Sequence, residues 1–399
     1  MRFLAAALFV CAALAAAAFG GAALVADRGE GGASAPAGAP AVGDDDLPVA
    51  GGRSEVAAAA PRTLTIVATG DLLIHQPVWA RAFANGGGHY DFRPMFRAMR
   101  PTIRNAALAF CHVETPIAPG APSGYPVFRT PPALARAIAW AGFDACSTAS
   151  NHSVDQGRTG IRETLRALDR AGVRHTGTAR TAREARRILI LDADGVRVAL
   201  LSATYGTNGI PVPEPWNVNL IRPEQLLRHA RRAKRLDADL VVVNLHWGAE
   251  YVHTPTAEQL RVARALLRSR AVDVIVGQHA HVVQPIRRLS GRFVVFGEGN
   301  FLSAQSTACC PGPTQDGLAA VLRVRIAGDD VSVVRADYVP IYVRRPDYVV
   351  VPVGRRLRQL AAAGQSGTAE ASALRASYRR TVGVVGRTRW TRPRPGRAP

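Results

Sequence analysis

The sequence predicts an α/β protein built on parallel strands, and three observations within residues 238–302 carry that prediction. Two apolar runs, 240–243 and 272–276, have the length and β-branching of buried strands, the second broken only by Asp273. Between them Leu260, Ala263, Leu266 and Leu267 recur at helical spacing through 258–269, which gives strand, helix, strand, the unit of a parallel sheet. Each strand then ends in histidine: His246 after the first, His279 and His281 after the second. Loops at the carboxyl ends of parallel strands face one crevice. Topology alone therefore gathers three imidazoles, and the pattern reads as a metal site.

The start of the chain reads as an export signal. Arg2 precedes an apolar run, 3–26, that is longer than a usual signal core and just long enough to span a bilayer. A cleaved signal peptide and an uncleaved signal anchor over 1–26 are both open. Residues 27–61 are rich in Gly, Ala and Pro around Asp44, Asp45 and Asp46, and read as a flexible linker. The folded domain is expected over 62–345. A strand over 63–71 ends in Gly70 and Asp71. A short helix over 92–99 should stop at Pro101, and a strand after 106 ends at His112 and Glu114.

A Pro/Gly-rich loop, 116–132, should lie near the same rim. Helix 131–140 and a strand from 143 follow, the strand running into Asn151, His152 and Asp155. Residues 158–171 form an amphipathic helix closed by Gly172, and 173–176 a short strand. The runs 187–192 and 196–203, joined by Ala-Asp-Gly, read as a hairpin in the second half of a sandwich. The loop 205–219 is long enough to be functional, and 223–236 is a helix. Beyond 302, the runs 319–326 and 331–340 alternate as antiparallel strands, 348–353 adds another, and 354–382 is helical in part. The extension 346–399 is basic and partly disordered, with disorder expected over 386–399.

At 399 residues, 48% hydrophobic and 6% aromatic, the composition is that of a globular protein. Five cysteines, Cys11, Cys111, Cys146, Cys309 and Cys310, are too few and too irregular for a disulfide framework or zinc ribbon. Adjacent Cys309 and Cys310 leave a vicinal disulfide, pairing elsewhere and two neutral thiols all open. The net charge of +20 raises the question of a polyanion, yet Lys234 is the only lysine. A GC-rich coding bias accounts for the arginines as well as nucleic acid does. No aromatic-and-basic motif accompanies them, so nucleic acid is not an expected partner.

Nine polar residues fall at predicted strand ends: Asp71, His75, His112, Glu114, Asn151, His152, His246, His279 and His281. Taken singly, His75, His112 and His253 read as hydrogen-bonded structural residues, and Asp155 as a helix cap. Five strands converging on one rim are hard to attribute to caps and turns. Mixed carboxylate, amide and imidazole donors suit divalent Mn, Fe or Zn, and the set is large enough for two ions. Such a pair activates a water and clamps an oxyanion. His152, beside the amide donor Asn151, is the candidate proton donor.

The ordered stretches ATGDLLIH (68–75), CHVETPI (111–117), ASNHSVDQG (149–157), NLHWGAEY (244–251), VGQHAHVVQP (276–285) and FGEGNF (296–301) carry a resemblance. They resemble the CapA family, the capsule or poly-γ-glutamate biosynthesis branch of the calcineurin-type metallophosphoesterases. The resemblance implies a four-layer α-β-β-α sandwich with metals at the sheet rim. It implies Asp71, Glu114, Asn151, His246, His279 and His281 as ligands and His152 as the acid, with His75, His112, Glu250 and Asn300 as additional site residues. There are departures: His75 stands four residues after Asp71 where phosphoesterases have Asp-x-His, His112 replaces an Asn, and Glu114 replaces a bridging Asp.

The function implied is an exported metal-dependent hydrolase or transferase of capsule or poly-γ-glutamate biosynthesis. It would be held at the outer face of the cytoplasmic membrane or secreted. Its implied partners are an anionic cell-surface polymer or its precursor, and a membrane polymer-synthesis complex. The alternatives are a metal-dependent phosphoesterase or nucleotidase, and a non-catalytic accessory subunit.

Overall fold

The computed structural model describes residues 60–396, so the expected leader and all but the last two residues of the linker lie outside the described residues. The first sheet starts with four parallel strands: β1 (Arg62–Leu73), β2 (Leu108–Val113), β3 (Ala145–Ser147) and β4 (Arg174–Thr176). Their crossovers carry α1 (Gln76–Asn85), α2 (Arg93–Phe96), α3 (Arg100–Arg104), α4 (Ala133–Ala141) and α5 (Gly157–Arg170). After α6 (Ala182–Ala185) the chain builds a second sheet. Its strands are β5 (Leu189–Ala193), β6 (Val196–Thr204), β7 (Leu240–His246), β8 (Val274–Gln278), β9 (Ile286–Leu289) and β10 (Arg292–Val295), with α7 (Pro223–Arg235) and α8 (Ala257–Leu267) between them. It then returns to the first sheet with β11 (Asn300–Ser303), β12 (Asp316–Ala327), β13 (Asp330–Val343) and β14 (Val350–Pro352), and ends in α9 (Val353–Ala362) and α10 (Ala369–Val385).

The first sheet runs β14-β13-β12-β1-β2-β3-β4, with β11 also paired to β1, and the second runs β5-β6-β7-β8-β10-β9. Side chains alternate across a strand, and the sequence uses that alternation on both faces. Leu64, Ile66 and Ala68 of β1 share a core with Leu240 and Val242 of β7, which is the seam between the sheets. Val67 and Leu72 turn outward onto α1–α4, whereas Val241, Val243 and Leu245 pack on α7 and α8. Four layers result, helix, sheet, sheet, helix, as the resemblance implied.

Most expected elements are present with shifted ends. The 187–203 hairpin pairs antiparallel as β5 and β6, and α8 starts at a capping box made by Thr256 and Gln259. Two readings need correction. The helix expected over 92–99 is instead two short ones, and Pro101 opens the second rather than ending the first; proline is tolerated in a first helical turn, where its missing amide has no partner to lose.

The second correction concerns the tail. Residues 386–396, expected to be disordered, run along β13: the Ala336 and Tyr338 amides donate to Trp390 and Arg392 carbonyls at 3.1 Å, and Arg394 N–H donates back to Tyr338 at 2.6 Å. Asp337, 1% exposed, accepts from Arg335, the Arg392 amide and Arg394. Composition showed a strand of arginines and prolines; the buried carboxylate that binds them lies far away in sequence.

Cys111 and Cys146 are register partners on β2 and β3 and form a disulfide, while Cys309 and Cys310 are free thiols. Of the openings left for that pair, two thiols is the one observed. Among the described residues no helix is long and apolar enough to cross a membrane.

Burial raises the Asp337 carboxyl, but Arg335 and Arg394 outweigh it and hold it below the usual range. Its contribution is therefore present above the unfolded carboxylate pKa, about 3.9, and lost as pH falls through the folded value. Asp337→Ala should lower unfolding free energy by about 1–3 kcal/mol at neutral pH, and urea titrations should show that difference shrinking on acidification.

Candidate metal centre

The rim is assembled by a close approach between β1 and β11. Gly70 precedes Asp71, and a Cβ at Gly70 would lie 1.8 Å from the Gly299 carbonyl. Only glycine lets the strand carrying Asp71 meet the 296–301 segment, where the Asp71 amide donates to that same carbonyl at 3.1 Å. The β1–β2 register then sets Asp71 beside His112, and the β7–β8 register sets His246 beside Gln278, just before His279.

Two groups of donors result. Asp71, His112 and His246 form one, Glu114, His279 and His281 the other; within each, one ligand atom per residue lies within 4.8 Å of the others, and all six residues are buried. His281 spans the two groups, with Nδ1 3.3 Å from Asp71 and Nε2 3.8 Å from Glu114. Asn151 Oδ1 lies 2.8 Å from His246 Nε2. His279 and His281 adopt φ of 89° and 56°, the left-handed region that non-glycine residues occupy rarely and mostly where the surroundings enforce it. Here the His279 amide donates to the Asp71 carboxylate, at 3.2 Å to Oδ2.

A test of fit comes from unpartnered atoms. Among the described residues, His112 Nε2, His246 Nδ1, His279 Nδ1 and both Glu114 carboxylate oxygens are buried without a hydrogen-bond partner. Buried polar atoms are ordinarily paired, so five orphans within the two donor groups, all imidazole nitrogens or carboxylate oxygens, fit a divalent cation. Electrostatics agrees. Burial pushes His112 down to about 4 and His279 to about 3, and holds His246 well below its ordinary value. These rings are neutral at pH 7, the form that ligates a metal. His281 differs: burial would lower it, but Glu114 and Asp71 hold it at about 9. Burial, then the Asp71 charge, raises Glu114 well above the carboxylate range.

His112 stands in the first donor group beside Asp71 and His246, its Nδ1 2.7 Å from Ser147 Oγ. His75 belongs to neither group; its Nδ1 sits 3.1 Å from the Leu73 carbonyl, and its ring contacts Phe128. Asn300 supports His281, with Oδ1 3.1 Å from Nδ1, and is itself tied to Gln305 and the Thr314 carbonyl. Glu250 stands at the rim, 4.0 Å from His281. His253 is structural, with Nδ1 on the Val283 carbonyl.

His152 lies on the wall of an adjoining cleft of about 930 Å³. Its Nδ1 is 2.8 Å from Asp155 Oδ2, which also accepts from the Phe128 amide, and the Phe128 ring abuts the imidazole edge-on at 4.7 Å. Asp155 is thus an orienting partner rather than the helix cap that spacing suggested.

Sequence reasoning missed Tyr205 and Asn208, apart from noting the length of their loop. Tyr205 covers His279 at 4.5 Å, and Asn208 Oδ1 accepts from the Asn151 amide at 3.2 Å.

Residues 65–305, more than half of the chain, match the bacterial capsule synthesis protein family, PGA_cap. The chain belongs to that family. Among its relatives, the capsule biosynthesis protein CapA of Bacillus anthracis is 28% identical over 253 residues, covering 61% of this chain and 60% of that protein. The PGA biosynthesis protein CapA of Bacillus subtilis (strain 168) is 32% identical over 166 residues, covering 41% and 43%. The chain thus matches about half of the length of these relatives. The calcineurin-like phosphoesterase YfkN from Bacillus subtilis superposes with a TM-score of 0.44 at 15% identity, covering 79% of this chain and 99% of that one. A score of that size carries no weight for function.

His112→Ala and His246→Ala should each lower the divalent metal that elemental mass spectrometry finds on the purified protein. His75→Ala, outside both donor groups, should leave the content unchanged.

Proposed function

We propose that this PGA_cap protein is an exported, metal-dependent hydrolase or transferase acting on an anionic cell-surface polymer of the capsule or poly-γ-glutamate kind. The observation that carries the reading is the set of orphaned imidazole and carboxylate atoms beside an oriented histidine on an open cleft. Asp71, His112 and His246 would hold one ion, and Glu114, His279 and His281 a second, with Asn151 adding its amide oxygen. Mixed oxygen and nitrogen donors suit Mn, Fe or Zn. Ions so held supply a water of lowered pKa and positive charge for a developing oxyanion.

The chain's own residues do the rest. With Nδ1–H donating to Asp155, His152 presents Nε2 as the atom that hands a proton to a leaving oxygen. Phe128 and Asp155 fix its ring, so the proton is delivered without reorganisation. The cleft is lined by His152, Tyr125, Gln305 and Arg345, the last an exposed cation suited to an anionic chain.

Two further observations support the cell-surface part of the reading. The Cys111–Cys146 disulfide is a bond that oxidising, extracytoplasmic compartments sustain. The apolar run 3–26 has the composition of a leader. The protein would work at the outer membrane face or in the medium, alone or within a membrane polymer-synthesis complex.

The test pairs metal analysis with turnover of phosphoester and γ-glutamyl substrates. His152→Ala should cut turnover by roughly 10²–10⁴-fold with metal content unchanged. Polymer production restored in a deletion strain by His152→Ala would sink the catalytic reading and leave a non-catalytic accessory subunit. Turnover of phosphoesters alone would move the assignment to a phosphatase or nucleotidase.

A further inference from the structure

A second cavity, of about 450 Å³, opens on the flank of the sandwich where the edge strands β4 and β5 meet α6 and α7. None of its lining residues belongs to the two donor groups of the metal centre. One side of the cavity is formed by Ser202 of β6, which is 1% exposed and whose Oγ has no hydrogen-bond partner among the described residues. A hydroxyl left unpaired at that depth is costly, which asks for a partner entering from the cavity. The space beside it is kept open by backbone design. Gly177 adopts φ +110°, and a Cβ there would stand 2.8 Å from Ser202 Oγ and 2.7 Å from the Ala149 amide nitrogen.

The walls are cationic. Arg174, Arg180 and Arg187 line the cavity with His175 and His229, against two carboxylates, Asp169 and Glu184. Both carboxylates are already engaged: Arg180 donates to Asp169 at 2.5 Å and to Glu184 at 3.0 Å, and His175 Nε2 lies 3.0 Å from the other Asp169 oxygen. The side chains of Arg174, Arg187 and His229, by contrast, make no hydrogen bond or ion pair among the described residues. Three donors without partners thus share one cavity with an orphaned hydroxyl.

We propose that this cavity is a binding site for a small oxyanion-bearing molecule, a carboxylate or a phosphate, held by Arg174 and Arg187 and seated on Ser202 Oγ. Guanidinium groups match the paired oxygens of either anion. The buried hydroxyl donates one further hydrogen bond; both wall carboxylates are bonded to Arg180, and against the three guanidiniums they leave the cavity with positive charge in excess. The site stands apart from the proposed reaction and does not depend on it.

The full chain, stripped of metal by chelator so that the other centre cannot hold an anion, is titrated calorimetrically with L-glutamate and, separately, with inorganic phosphate. At least one probe should bind at one site per chain. Binding by glutamate identifies a carboxylate ligand, binding by phosphate a phosphate, and binding by both the shared chemistry. Arg174→Ala, Arg187→Ala and Ser202→Ala should each weaken it by roughly tenfold. Both arginines are exposed, so their variants should keep the parent unfolding midpoint, which is measured alongside. The assignment is overturned if neither probe binds at millimolar concentration, or if binding is indifferent to all three substitutions.

Discussion

Two carboxylates buried side by side set the terms for the rest of the molecule. Asp71 and Glu114 are at most 1% exposed and share His281 between them. Charge at that depth is costly unless a cation or proton balances it. Without an ion the balance falls to His281, held protonated, and to Glu114, whose carboxyl is pushed toward its neutral form. A divalent cation would serve the same purpose and release those protons. The surrounding imidazoles, kept neutral by burial, do not compete for the role.

Much of the scaffold serves that balance. The parallel strands of both sheets end at the same rim, and the seam between them is filled by one face of each strand. Two devices hold the rim residues in place. Ser150 and Ser153 knit the turn that presents Asn151 and His152, bonding to the Glu114 carbonyl at 2.6 Å and the Thr148 carbonyl at 2.8 Å. Trp247 closes the outer face behind His246, stacked on Phe296 and donating to its carbonyl at 2.9 Å. Rigid elements position donors better than loops do.

How much of this was legible depends on the range of the interaction concerned. Strand-end histidines were readable, because period and topology are local properties that place His246, His279 and His281 together without any distance being known. Choosing between His75 and His112 was not, since it turns on the bulged register between β1 and β2, which shows no signal in either strand. Tyr205 and Asn208 were invisible for the same reason: a loop's length shows that it has work to do, not which residue reaches the site. The tail was misread because its arginines look solvated until Asp337, some fifty residues earlier, is seen to bind them.

The Cys111–Cys146 bridge joins two neighbouring strands, and each runs on into rim residues: Cys111 directly precedes His112, and Cys146 stands five residues before Asn151. Both sulfurs belong to residues with no solvent exposure. In the folded sheet the bond is therefore shielded from dissolved thiols and oxidants. The bridge thus clamps the two rim-bearing strands to each other from beneath, so that His112 and the turn carrying Asn151 share one covalent footing.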